Sequence, residues 1–77
     1  VPPDPTDEWL DGEGRRIGRR IRLIREWRNY TQEHVFLAVP MNRAHYQEIE
    51  AGRANPTLRT LLRIARVLDV PIDQLVR

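Results

Sequence analysis

Between Thr31 and Gly52, in TQEHVFLAVPMNRAHYQEIEAG, four residues that open or close helices stand so close together that only two short helices fit among them. Thr31 is suited to an N-cap, because its hydroxyl oxygen can accept from one of the backbone N–H groups that a helix start leaves unpaired. Pro40 closes what Thr31 opens: proline has no N–H to give the helix ladder, and it biases Val39 away from helical backbone. Asn42 is the next N-cap and Gly52 the next stop, glycine being free to take the left-handed conformation in which helices commonly end. The spacing predicts a helix over 32–38 that buries Val35 with Phe36 or Val39, a tight turn, and a helix over 42–50 that buries Tyr46 and Ile49.

The flanking sequence is helical by the same signals. From Arg15 to Arg28, Ile17, Ile21, Ile24 and Trp27 recur at helical spacing, with arginines on the other faces. Asn29 stands where a left-handed terminating residue belongs. After the loop RANP, 53–56, Thr57 caps a further helix whose apolar face reads as Leu58, Leu61, Leu62, Ala65 and Leu68, with Arg59, Arg63 and Arg66 in water. Asp69 and Pro71 mark a break, and Ile72, Leu75 and Val76 form the apolar side of a final helical turn. No run of alternating residues argues for a strand. The prediction is an all-α, compact five-helix bundle over 15–77, preceded by an acidic, proline-containing extended tail over 1–14. Trp9 and Leu10 are that tail's only large apolar residues with which to dock.

Size and composition narrow the function. A chain of 77 residues holds one domain and has no room for a large internal active site. Without cysteine it has neither disulfides nor a thiolate metal site, which suits a reducing bacterial cytoplasm or nucleoid. Its longest apolar run, Val35 to Met41, falls far short of the roughly 20 residues of a membrane span. Serine, cysteine and lysine are all absent, so the usual nucleophiles are missing, and His34 and His45 lie on different helices outside any metal-ligand spacing. An enzyme, a cofactor and a metal are therefore not expected. The net charge of +2 conceals a partition: residues 1–14 carry five carboxylates and no base, whereas the remainder carries thirteen arginines against six carboxylates. An arginine-rich surface of this kind suits a polyanion, since the guanidinium fork pairs with phosphates and with guanine edges.

Two short helices at a tight turn form a helix-turn-helix, an arrangement that presents its second helix to the DNA major groove. Over 17–76 the chain resembles the phage repressor and Cro-like, or XRE, helix-turn-helix family. The resemblance is carried by IGRRIRLIRE, by TQ at the start of the second helix, by NRAHYQEIEAG, by NPTLRTLLRIARVLDV and by the closing PIDQL. It implies a lambda-repressor-like fold and a sequence-specific, double-stranded-DNA-binding transcriptional regulator, more often a repressor, that inserts helix 42–50 into the major groove. Members commonly act as homodimers, for which Ile72, Leu75, Val76 and Trp27 are candidate contacts. Residue by residue, it implies base contacts from Arg43, Ala44, His45, Gln47 and Glu48. Arg43 would address a guanine, Gln47 an adenine and Glu48 a cytosine amine. It implies phosphate contacts from Gln32, Asn42, Arg53 and Asn55, with Gln32 also bracing the recognition helix. Arg25 and Glu50 match a structural ion pair, and Tyr46 a core position.

Two residues depart from the family pattern. Phe36 stands where a small residue is usual, so it must spread the second and third helices or swing outward. Pro40 stands where glycine is usual and cannot take the left-handed backbone. These two, with the acidic Glu48 on the recognition face, keep a rival open: a protein-interaction module on the same fold, because function belongs to the site and not to the fold.

Overall fold

The computed structural model describes residues 5–77, and among them every regular element is a helix. In chain order these are α1 (Pro5–Trp27), α2 (Gln32–Ala38), α3 (Arg43–Ala51), α4 (Leu58–Leu68) and α5 (Asp73–Val76). The caps are those the sequence prescribes. Thr31 Oγ1 accepts from the His34 N–H at 3.0 Å, Asn42 Oδ1 from the His45 N–H at 3.2 Å, and Thr57 Oγ1 from the Thr60 N–H at 3.1 Å. Three helices end in one device. Asn29, Gly52 and Asp69 are left-handed, with φ of 61°, 77° and 58°, and the N–H groups of Tyr30, Arg53 and Val70 reach back to the carbonyls of Arg25, Glu48 and Ala65. The turn between α2 and α3 passes through a cis Val39–Pro40 peptide, and the Met41 N–H donates to the Phe36 carbonyl at 2.7 Å.

The first helix departs from expectation. It does not begin at Arg15 but at Pro5, so residues 5–14 are helical and continuous with the bundle instead of an extended tail; residues 1–4 of that tail lie outside the described residues. Proline is well placed at a first helical position, where its missing N–H has no partner to lose, and Asp7 and Glu8 in the first turn face the positive end of the helix dipole. Trp9 and Leu10 remain mostly exposed, so they do not dock as an anchor.

Ile21, Val35, Tyr46, Ile64, Leu68 and Leu75 are fully enclosed, with Phe36, Val39, Ile49 and Ala65 nearly so. Around this core α1 lies along α3 and α5, and α2 against α3 and α4. Three apolar assignments shift. Trp27 turns away from the isoleucine face and is 75% exposed, with the Arg28 guanidinium 5.1 Å from its ring centre. On α4 the inward face is centred on Leu61, Ile64, Ala65 and Leu68, which leaves Leu58 and Leu62 in water. Leu75 is core, and so is unavailable to a partner. The arginines of α1 and Arg28 just beyond it also do more than solvate the helix. Arg20 Nε donates to the Gln74 carbonyl, Arg16 to the Val76 carbonyl and Arg28 to the Asp69 carbonyl, each at 3.0 Å. Carbonyls at helix ends lack intrahelical donors, and these long side chains supply them from another element.

Gly18 sets how closely α1 approaches α3. A Cβ built there would lie 2.5 Å from the Ile49 carbonyl oxygen and 2.6 Å from that of Glu50, too close for any side chain. Helical periodicity gives a glycine no weight, so nothing in the apolar pattern marks this position.

Candidate nucleic-acid interface

Helix α3 is held from inside by one carboxylate. Glu50, on the inward face of α3 and 8% exposed, receives both ends of the Arg25 guanidinium, Nε to Oε2 at 2.7 Å and Nη2 to Oε1 at 3.1 Å. Gln32 Nε2 from α2 donates to Oε1 at 3.1 Å, and the buried Tyr46 hydroxyl donates to Oε2. Arg25 spends a further N–H on the Tyr30 carbonyl at 2.9 Å. Burial alone pushes the Glu50 carboxyl up. The hydrogen bonds from Arg25, Tyr46 and Gln32 outweigh it and hold the group below the usual carboxylate range, hence ionised. Its charge in turn raises Arg25, chiefly through their hydrogen bond, while burial and then the bond to Glu50 push Tyr46 well above an ordinary phenol. The expected Arg25–Glu50 pair is thus present. The Tyr46 hydroxyl does not reach the surface, as packing alone would have allowed, but completes the same network.

With Tyr46, Ile49 and Glu50 turned inward, α3 presents Arg43, Ala44, His45 and Gln47 to solvent. Gln47 Nε2 donates to Gln32 Oε1 at 3.3 Å, so both ends of the Gln32 amide are engaged with α3. Arg43 and Gln47 share a cleft of about 400 Å³ with Arg25, Thr31, Gln32, Glu33 and Phe36. Phe36 does not swing outward. It is buried with its ring tilted on that of Tyr46, centroids 6.5 Å apart, and the Arg43 guanidinium lies over it.

The remaining candidates have partners or exposure of their own. Glu48 is tied to Arg53 by two bonds of 2.9 Å, and this contact lowers the carboxyl and raises the guanidinium. A residue read as a base contact and one read as a phosphate contact therefore face each other. The side-chain oxygen of Asn42 is used in capping α3, and Asn55 stands exposed in the loop after α3. His45 is exposed, and His34 stacks on Tyr30 with centroids 4.2 Å apart. Among the described residues no cluster of His, Asp or Glu could hold a metal ion, and no helix is long and apolar enough to cross a membrane.

A Helix-turn-helix family model matches residues 21–75. The chain belongs to the phage repressor and Cro-like helix-turn-helix family. Among its relatives in this helix-turn-helix family, the immunity repressor protein of Bacillus phage phi105 is 33% identical over 60 residues, 78% of this chain and 42% of that protein. An uncharacterized prophage-derived HTH-type transcriptional regulator, YonR of Bacillus subtilis (strain 168), is 30% identical over 79% of this chain and 56% of its own length. The ImmF control region 10 kDa protein of phage phi105 is 30% identical over 82% of this chain and 70% of its own. The chain thus spans about half the length of the first two. The crystal structure of the restriction-modification controller protein C.AhdI from Aeromonas hydrophila superposes with a TM-score of 0.80 at 25% identity, covering 83% of this chain and 97% of that one. The helix-turn-helix family is non-enzymatic, in line with the missing nucleophiles.

Proposed function

We propose that this protein is a sequence-specific regulator of transcription, a repressor, that binds double-stranded DNA by laying α3 in the major groove. The observation that carries the reading is the two-sidedness of α3. Its inward residues are fixed by the Glu50 network, while Arg43, Ala44, His45 and Gln47 project together into solvent. Arg43 reads guanine through O6 and N7, Gln47 addresses adenine, and Ala44 and His45 pack on base edges beside them. Glu48 orients Arg53, so the two act as a unit at the groove edge: Arg53 and Asn55 hold one stretch of phosphate backbone, Gln32 and Asn42 another. The setting is the cytoplasm of a bacterial cell, with or without a phage genome as the source of the operator.

A nine-residue recognition helix is about 13 Å long and spans only some four base pairs. So short a word does not single out an operator, and the reading includes a homodimer on paired half-sites. The exposed Trp27, Leu58, Leu62 and Val76 are the side chains available for its apolar contact, with the buried Leu75 excluded.

The test is selection of a randomised duplex library on the purified protein, followed by titration of the winner and a scrambled duplex at two salt concentrations. A palindromic motif with half-sites about one helical turn apart supports the reading. A second reading has its own observation: Arg43 is paired with Glu33 and Arg53 with Glu48, so part of the basic face is already neutralised. No enrichment, with weak and steeply salt-dependent binding to every duplex, moves the protein-interaction module to first place.

A further inference from the structure

Arg43 is an exposed arginine that does not hang free. Its guanidinium carbon lies 5.3 Å from the centre of the Phe36 ring, within the distance at which an arginine is attracted to an aromatic face. One nitrogen is 3.6 Å from the Glu33 carboxylate. Phe36 and Glu33 both belong to α2, and Arg43 begins α3, so the contact bridges the turn. The ring itself cannot move aside, because it is buried against Tyr46, which is locked in the Glu50 network. A guanidinium held over a fixed ring loses rotational freedom before DNA arrives, and a base reader gains selectivity when its fork is aimed in advance.

We propose that Phe36 is a positioning residue for base reading: its ring holds the Arg43 guanidinium in the plane from which it reads one guanine, so that discrimination at one base pair depends on a side chain buried away from the DNA. This rests on the proposed DNA-binding function. The Glu33 carboxylate occupies the free edge of the fork until a base takes its place. The bulky residue between α2 and α3 is then part of the reading apparatus and not a packing anomaly.

The experiment measures binding of the selected duplex and of its three single-base variants at each position, for the unaltered protein and for Phe36→Leu, Arg43→Ala and the double variant. Phe36→Leu keeps an apolar side chain but removes the ring face. At the position where Arg43→Ala abolishes discrimination, Phe36→Leu is expected to lower it about two- to five-fold, the span that an exposed cation–π contact supplies. Affinity for scrambled duplex should stay within two-fold, and Phe36→Leu should add nothing in the Arg43→Ala background. Equal losses at every position, or a full further loss in that background, would show a general packing defect and overturn the proposal. If Arg43→Ala loses discrimination at one position and Phe36→Leu does not, the positioning role alone fails. If Arg43→Ala leaves every position unchanged, the reading of Arg43 itself fails and takes this one with it. Nuclear magnetic resonance of the free protein gives a readout independent of DNA: ring-current-shifted Arg43 side-chain protons that return to ordinary positions in Phe36→Leu. Unshifted protons in the unaltered protein would overturn the proposal whatever the binding data show.

Discussion

Replacing Gly18 with alanine sets a general rule against a local contact. Alanine inside a helix is more favourable than glycine by about 1 kcal/mol, so propensity alone says that Gly18→Ala stabilises. The added methyl would sit 2.5 Å and 2.6 Å from two carbonyl oxygens, where about 3.3 Å is the closest comfortable carbon–oxygen approach. The shortfall is therefore roughly 0.8 Å, and both atoms belong to backbone. Neither can turn away as a side-chain tip could: Ile49 O already accepts the Gly52 N–H at 3.1 Å, and Glu50 is fixed by Arg25, Gln32 and Tyr46. Overpacking of this kind costs about 1–3 kcal/mol, and the rigidity of the contact places it near the upper end. Setting the propensity gain against it leaves a net loss of about 2 kcal/mol, which in a domain this small lowers the thermal midpoint by roughly 8–16 °C. Thermal melts followed by far-ultraviolet circular dichroism measure it. Gly12→Ala is the control, because the nearest atom to its added Cβ is the end of the Arg15 side chain at 3.9 Å, and it should gain up to about 1 kcal/mol. A Gly18→Ala protein that melts at or above the temperature of the unaltered one would refute the close approach of α1 to α3.

Four further outcomes follow from the same structure. Glu50→Ala strands the Arg25 guanidinium in a part-buried site and should cost about 3–5 kcal/mol, enough to leave the domain largely unfolded in a urea titration. Because the folded-state pKa of Glu50 is lowered from 4.5, its contribution is complete above that value and disappears as pH falls through the lower, folded one. The urea midpoint should accordingly hold steady from pH 6 to 5 and drop below about 4.5, and a midpoint that rises on acidification would contradict the ionised state. Arg43→Ala should weaken the selected duplex by about 1–3 kcal/mol and relax one base position, whereas Arg53→Ala should weaken all sequences alike and reduce the salt slope; equal losses on selected and scrambled DNA for both would reassign Arg43 to the backbone. Asp69→Gly should raise the thermal midpoint, by about 0.5–1 kcal/mol of stability, since Asp69 is left-handed at φ 58° and only its carbonyl is used by Arg28; a lower midpoint would reveal a stabilising role for its carboxylate.

What could be read from the sequence was whatever is decided within a few residues. Thr31, Asn42 and Thr57 cap their helices through bonds to the third residue on, and Asn29 and Gly52 end theirs through bonds that reach back five or fewer, so their type and spacing were sufficient. The Arg25–Glu50 pair, 25 residues apart, became legible only through the family pattern. The misread features are those decided by a distant neighbour or by the sum of weak local terms. The prolines of the opening stretch argued against a helix before Arg15, yet Pro5 at the first helical position, with Asp7 and Glu8 after it, gives that helix a favourable start. Leu58 and Leu62 fit an apolar stripe as well as Ile64 does, and the packing of the other helices decides which of them is covered. Within the candidate site, exposure of Arg43 and Gln47 was foreseeable, but the Glu48–Arg53 and Arg43–Glu33 pairs and the ring beneath Arg43 depend on how neighbouring segments meet.

In α3, the residues that secure the helix and those that face outward alternate within the same nine positions. Tyr46, Ile49 and Glu50 carry the attachment, while Arg43, Ala44, His45 and Gln47 carry none of the core. Mutation can therefore rewrite the outer set with little penalty in folding, whereas a change to the inner set is removed by selection before any new target is sampled. Under the proposed function, a scaffold divided in this way lets recognition drift quickly across a lineage, and those four side chains are the ones an engineer would exchange to redirect the protein while leaving its architecture intact.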